Sequence, residues 1–493
     1  MKKKCLAVLM AAAMAVSMIG CGSGPDSQGS STPDSNSEQG SSDNQSAQDS
    51  GSEAGDQGQE ADNNGEQVTL RFASWALGTE EENNLERQMI KAFEDSHPNI
   101  KIEIAEEITG DWNEALATAA SGGSLPDVCI IAGLPTAVSN GWALNLNDLI
   151  AADSADWNMI PESLRESVTY NGKSFGIPTS MHLAGLFINT EMFEEMNVTP
   201  LSYGYTWDEF MEAVEKLHNP SNGQAALKYV NDFVNFLPYL WDENQGWYTY
   251  DGTEVHLNSA EFIRAVKETQ NLSSYSWAGL SEDQKSLTAG AEAGDYDAWL
   301  QGYTAMWYDA SYCCGGYTDG TGITYNVEYI GLPGGKNVII PDYAFISSAT
   351  KHPQEAWEFA KFMFWGPEAA KNRMAIDAAD DSITWTAMPL TADEATLQGY
   401  FDAFPVKGVR EAYESMAANG TVVEAFKFAP GYSNARWNGP TGIELDGEEA
   451  NMAKILDKCI SGELSIDDYA DQLNTLANGF ISSEREAIDA LTQ

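Results

Sequence analysis

Residues 68–131 read VTLRFASWALGTEEENNLERQMIKAFEDSHPNIKIEIAEEITGDWNEALATAASGGSLPDVCII, and the changes of period within them decide the fold. Val68 to Trp75 alternates apolar and polar as a strand does and ends at a glycine-containing turn. Thr79 and Glu82 stand at capping-box spacing. Leu85, Met89, Ile90 and Phe93 then share one helical face, until His97-Pro98 stops the run. Ile100 to Ile104 alternates again, Asp111 to Ser121 reads as a helix, and Leu125-Pro126-Asp127 leads into the apolar run Val128 to Ile131. Strand, helix, strand, helix, strand predicts a mainly parallel sheet flanked by helices, an α/β fold.

The pattern resumes downstream. Phe175 to Pro178 and Leu183 to Ile188 are strand-like, and Thr206-Trp207-Asp208-Glu209 is a capping box opening a helix with Phe210, Val214 and Leu217 inward. Tyr343 to Ser347 reads as a strand. Pro353 starts a helix carrying Trp357, Ala360 and Phe364, which Gly366-Pro367 ends. From Val409 onward the chain is mostly helical. About 425 residues follow Gln67, too many for one core and suited to two lobes.

Upstream of this body the chain has another character. Lys2, Lys3 and Lys4 precede an apolar run from Leu6 to Ile19 that is too short to span a bilayer, so residues 1–20 read as a secretory signal. Met18-Ile19-Gly20-Cys21 resembles a lipobox, which makes Cys21 the expected lipidated N-terminus. Residues 22–67 contain ten acids and no Lys, Arg or aromatic residue. Such a stretch cannot bury enough apolar area to offset its ordering entropy, and as a flexible coil it reaches on the order of 40 Å. The chain is expected to be exported and tethered to the outer face of the cell membrane.

The formal charge is −48, and loss of three lysines with the signal leaves 23 basic against 74 acidic residues. That balance argues against nucleic acid and against direct docking on anionic lipid. Cys129, Cys313, Cys314 and Cys459 remain once Cys5 and Cys21 are set aside, too few to staple a body of this size. Cys129 lies in an apolar run and reads as core, whereas a vicinal disulfide at Cys313-Cys314 stays open. No Cys or His pair falls at zinc spacing, so no metal and no cofactor are expected. Catalytic motifs are missing too: there is no Gly-x-Ser-x-Gly, no His-Glu-x-x-His, and Gly172-Lys173-Ser174 lacks the upstream glycine of a phosphate loop.

Several segments together resemble the family-1 extracellular solute-binding proteins of bacterial ABC importers, the maltodextrin-binding type. They are the strand ending at Ser74-Trp75 with the helix carrying Phe93 and Pro98 after it, Gly122-Gly123-Ser124-Leu125-Pro126-Asp127-Val128, and Gly141-Trp142-Ala143-Leu144-Asn145-Leu146. Phe175-Gly176-Ile177-Pro178, Leu186 to Phe193, Thr206 to Phe210, Thr304-Ala305-Met306-Trp307 and Ala356-Trp357-Glu358-Phe359 continue the likeness in the family's order. The resemblance implies a two-lobed periplasmic-binding-protein-like fold (type II) with a hinge between the lobes. Lobe 1 would comprise 68–180 plus about 344–388, and lobe 2 about 181–343 plus 389–493. It further implies a non-enzymatic monomer that captures a carbohydrate in the cleft and passes it to an ABC permease.

A carbohydrate site needs flat aromatic faces for C–H surfaces and fixed polar groups for hydroxyls. Trp75 is a candidate because it stands where a parallel strand ends, the side on which open α/β sheets bind ligands. The resemblance adds His182 and Asp342 at the two expected hinge crossings, and Asp232, Asn235 and Trp241 in the aromatic run 229–241. It also adds Asp309 for hydroxyls, Tyr312 for stacking, and Trp385, Arg436 and Trp437 in loops expected to close over the ligand. The competing classes are a surface glycoside hydrolase working with two carboxylates, and the same fold serving a non-sugar solute or a sensor.

Overall fold

The computed structural model describes residues 67–492 apart from 315–316, 318–321, 381–382, 384, 404–405, 420–421 and 446. The expected signal, Cys21 and the linker up to residue 66 lie outside the described residues. Among the described residues no helix is long and apolar enough to cross a membrane.

The opening pattern folds as its periods require. Strands β1 (Val68–Ala73), β2 (Ile100–Ile104) and β3 (Val128–Ile131) pair in parallel around β1. Helices α1 (Leu85–Ser96) and α2 (Trp112–Ser121) connect them. One detail differs from expectation. Glu82 accepts the Thr79 N–H at 2.8 Å, yet α1 begins only at Leu85, where the Asn84 side chain caps the Arg87 N–H. The Thr79–Glu82 pair closes a turn within the connection. By contrast Thr206 and Glu209 form both halves of a capping box at the start of α3 (Trp207–Leu217).

The two strand-like segments around residue 180 form one 13-residue strand, β4 (Ile177–Asn189). It continues through Thr179-Ser180-Met181-His182 because a neighbour satisfies its backbone there: β8 (Val338–Ile346) pairs antiparallel with β4 from Val338/Ala184 to Ala344/Ile177, with a shift of register between Asp342 and Tyr343. β8 then pairs with β3 at its far end. At its own far end β4 pairs with β6 (Thr304–Ala310), which pairs in parallel with β5 (Ala225–Leu227). The sheet runs β2-β1-β3-β8-β4-β6-β5, with β7 (Val327–Gly331) beside β4 and β9 (Val422–Val423) beside β8. At Gly185 any Cβ would meet the Tyr329 hydroxyl at 2.6 Å, so a glycine is what lets β7 approach β4.

Two principal hydrophobic cores lie along this sheet. The first packs Leu70, Phe72, Met89, Phe93, Leu116 and Val128 to Ile131 against Trp357 and Phe359 of α5 (Pro353–Ala360). The second gathers Leu186, Ile188, Phe193, Phe210, Val214 and Met306 with Phe233, Phe236 and Leu237 of α4 (Phe233–Trp241). Burying a Phe or Leu side chain is worth roughly 1.5–3 kcal/mol, so each core is a substantial folding unit. The tail from Val409 serves both. Val409 and Ala412 of α7 (Val409–Asn419) enter the first core, and Tyr432, Met452 and Leu456 enter the second.

The last helix, α8 (Ile466–Thr492), has 27 residues and is about 40 Å long. Leu473, Ala477 and Ile481 belong to the second core and Ile488 to the first. Asn478 both accepts from and donates to the backbone of Val255, each at 2.9 Å. At its other end Asn171 donates to Asp489 at 2.7 Å and Lys173 to the Thr492 carbonyl at 2.5 Å.

Candidate functional site

A pocket of about 480 Å³ opens where β1 ends and β4 meets β8. Ser74 caps the short turn Trp75–Leu77 through the Ala76 N–H at 3.1 Å, and this holds the Trp75 ring outward. Trp75 is 42% exposed, and its ring meets the edge of Trp112 at 5.4 Å. Ser180 of β4, Asp342 of β8, Trp365, and Gly366 with Pro367 at the start of α6 (Pro367–Ala379) line the same pocket. Trp385 lines it too. Trp385 is buried with its ring against that of Tyr400 at 5.6 Å, and it forms part of the pocket wall.

Asp342 links this pocket to the second half. It accepts from Ser180 Oγ at 3.0 Å and from Lys427 Nζ at 2.6 Å, and both members of this ion pair are largely buried. Burial opposes ionisation of Asp342, but the Lys427 ammonium outweighs it and holds the carboxyl below its ordinary range. One step along β4, His182 is buried with Nδ1 lacking a hydrogen-bond partner, and desolvation pushes its pKa down to about 4. The neutral imidazole meets the edge of Tyr312 at 5.3 Å, and the Tyr312 ring is 40% exposed.

Beyond Tyr312 the polar groups crowd together. Asp309 at the end of β6 accepts from the Ala310 N–H at 2.8 Å and from Cys313 Sγ at 3.1 Å, while burial raises its pKa. Among the described residues Cys313 and Cys314 are not joined to each other as a disulfide. Lys228, just past β5, is buried with Nζ 4.0 Å from the Trp307 ring centre and 3.9 Å from Asp295. Asp232 precedes α4 and receives Asn235 Nδ2 at 3.3 Å, leaving Asn235 Oδ1 buried without a partner. Burial takes Asp232 up to about 6 against the opposing field of Arg436. The Arg436 guanidinium lies 5.0 Å from the Tyr248 ring centre and 5.3 Å from that of Trp437, itself largely exposed.

Of the sequence candidates, the structure groups Trp75, Asp342 and Trp385 in the pocket, His182 with Tyr312, and Asp232, Asn235, Asp309, Arg436 and Trp437 around the second half's strand ends. Trp241 stands apart. It closes the far end of α4, about 13 Å from Asp232 along the helix axis. There it packs on Trp207 at 6.3 Å under the Arg264 guanidinium at 3.8 Å. Sequence reading missed Lys228, Glu424, Lys427 and Tyr248. A lysine directly after a strand, at Leu227-Lys228, was the signal for one of them; Tyr248 owes its place to a left-handed backbone (φ 55°) that no pattern shows.

These groups can satisfy a ligand rich in hydroxyls, with aromatic faces beside donors and acceptors; the Cys313 thiol beside Asp309 is not activated, because burial raises its pKa. The sequence profile of the bacterial extracellular solute-binding proteins matches residues 78–364. The chain belongs to that family. Its members bind solutes and are not enzymes, so the hydrolase alternative falls away.

This solute-binding protein is 26% identical over 321 residues to an ABC transporter extracellular-binding protein of Pyrococcus horikoshii, covering 60% of this chain and 69% of that one. It is 23% identical over 191 residues to the arabinooligosaccharide-binding protein of Bacillus subtilis, covering 38% of this chain and 43% of the relative. Among solved structures it resembles an ABC substrate-binding protein of Listeria monocytogenes in complex with cycloalternan, with 20% identity and a TM-score of 0.63. That likeness covers 85% of this chain and all of the other, and it establishes the two-lobed periplasmic-binding-protein fold.

Proposed function

We propose that this protein captures a carbohydrate, in the form of an oligosaccharide, between its two halves and delivers it to the permease of an ABC importer. The observation that carries the reading is the exposed Trp75 ring at a strand end, over a pocket that reaches Asp342 at the crossing of β4 and β8. An exposed indole beside fixed polar groups is the surface a pyranose face needs. The pocket volume falls within the range of about 300–1,000 Å³ of small-molecule sites. The Bacillus subtilis and Listeria monocytogenes relatives, named for or holding oligosaccharides, favour the same ligand class.

The two halves act as lobes. The β4/β8 crossing forms the hinge, and closure brings Tyr312, Asp309 and Arg436 towards Trp75. Lobe 1 is taken as 68–180 plus about 344–388, with the last turn of α8 held to it by Asn171 and Lys173, and the remainder forms lobe 2. The protein works as a monomer outside the cell, held to the membrane by lipid on Cys21. Thermal-shift screening of the purified protein against neutral, acidic and amino oligosaccharides, followed by calorimetry, tests the ligand class. A binder at 100 times its Kd should add about 2.7 kcal/mol of stability. Trp75→Ala should weaken that binder about ten-fold or more without lowering the ligand-free melting temperature. Silence across the panel would overturn the carbohydrate reading.

A further inference from the structure

The surroundings of Arg436 hold more acid than base. Among the described residues Arg436 Nη1 donates to the Tyr432 hydroxyl at 3.4 Å, and Nε is buried without a partner. The neighbouring cations are already engaged: Lys427 by Asp342 at 2.6 Å, and Lys228 by Asp295 at 3.9 Å and the Trp307 face. Asp232, Asp309 and Asp457 lie within electrostatic reach of one another or of Arg436, and so does Glu424 at the carboxyl end of β9. Glu424 Oε2 is buried with no hydrogen-bond partner, as is Asn235 Oδ1. Among the described residues around Arg436, two acceptors and one donor are thus unmet, within a field that is negative overall.

A sugar hydroxyl both donates and accepts, so a neutral sugar can satisfy Glu424 Oε2, Asn235 Oδ1 and Arg436 Nε together. A ligand carboxylate only accepts. It would pair with Arg436 but leave the two acceptors unmet, beside carboxylates of its own sign. We propose that Asp232 and Glu424 are specificity-determining residues that make the cleft reject acidic sugars despite its unpaired arginine. This rests on the carbohydrate reading above.

The filter has a sign in pH. Asp232 faces Arg436, Asp309, Lys228 and Asp457, and Glu424 faces Lys427, Asp342, Asp232 and Arg436. Burial raises both carboxyls, Asp232 to about 6. The Asp232 charge is therefore full well above that value and fades as pH falls through it, with Glu424 shifted in the same direction, while a sugar carboxylate stays ionised.

The test is calorimetric titration of the purified protein with neutral trisaccharides (arabinotriose, xylotriose, mannotriose, maltotriose), trigalacturonate and triglucosamine. The best neutral binder is then titrated again after oxidation of its reducing end to the aldonate and of its primary hydroxyls, where it has them, to the uronate. The oxidised forms should bind about ten-fold or more weakly near pH 7.5. Glu424→Gln and Asp232→Asn should each narrow that ratio about three-fold or more. In the unmodified protein the ratio should narrow near pH 5.5, a comparison that needs no variant to fold. Oxidised forms binding as well as their parent, or a ratio that neither pH nor variant moves, would overturn the filter. A trigalacturonate-only response refutes the filter and spares the carbohydrate reading; no response to any sugar overturns both.

Discussion

Replacing Lys427 by Met removes one partner of the most buried ion pair at the strand crossing. Lys427 is 7% exposed by side chain and Asp342 18%, with 2.6 Å between Nζ and Oδ1. The Met side chain fills much of the lysine volume but leaves Asp342 desolvated with only Ser180 at 3.0 Å as a donor. Breaking a buried pair from one side costs about 3–5 kcal/mol. Unfolding entropy of about 2.1 cal/mol/K per residue over this body then gives a fall in melting temperature of about 3–6 °C.

The loss should depend on pH in a defined direction. Lys427 holds the Asp342 carboxyl below its ordinary range, so that stabilisation is present above the unfolded carboxyl value near 3.9 and is lost as pH falls through the folded value. Scanning calorimetry of both proteins should show the gap at neutral pH and see it close under acid. Asp342→Asn introduced into Lys427→Met should recover much of the loss at neutral pH. A gap below about 1 kcal/mol, or no recovery in the double variant, would refute the idea that this pair is what the crossing depends on.

His182 gives a slope of the same sign in a higher pH window. Its folded pKa of about 4 lies below the ordinary imidazole value, so stability should fall as pH drops from about 6.5 to 4, by roughly 3 kcal/mol, and His182→Gln should flatten that slope in denaturant titrations. Phe233→Ala, at a fully buried position between Phe210 at 5.7 Å and Phe236 at 5.0 Å, should cost about 3–5 kcal/mol in the same titrations. Thr206→Ala, which removes one half of the capping box of α3, should cost about 1 kcal/mol, with Thr206→Ser restoring most of it.

What could be read in advance follows from the range of each interaction. The strands and helices from Val68 to Ile131 are written in local periods, and the capping box at Thr206 in four adjacent residues. The continuity of β4 is not, because Thr179-Ser180-Met181-His182 has no alternation of its own; β8, some 160 residues later, makes it a strand. The start of α1 was misplaced for a related reason, since Thr79–Glu82 and Asn84 both offer local caps and packing of Leu85 onward selected the second. At the candidate site, the place of Trp75 in the pocket lining was legible because a strand end points to it. Glu424 and Lys427 were not, being two charges among a hundred until β9 lies beside β8. Trp385 shows the converse: an aromatic in a loop carries no mark saying whether its ring faces ligand or Tyr400.

The long final helix has a mechanical consequence. The chain enters the first half at Val68 and, after α8 has run along the second, its last residues are hydrogen-bonded by Asn171 and Lys173 of the first half again. Both ends are therefore moored to the same body. On the proposed two-lobe motion, traction between Val68 and the last turn of α8 would load the first half directly. For the same reason a pair of fluorophores fused to the two termini would be blind to ligand. On the proposed two-lobe motion, one dye at Leu491 and its partner at the exposed Leu287, beside Gly223 in the other half, would span the hinge.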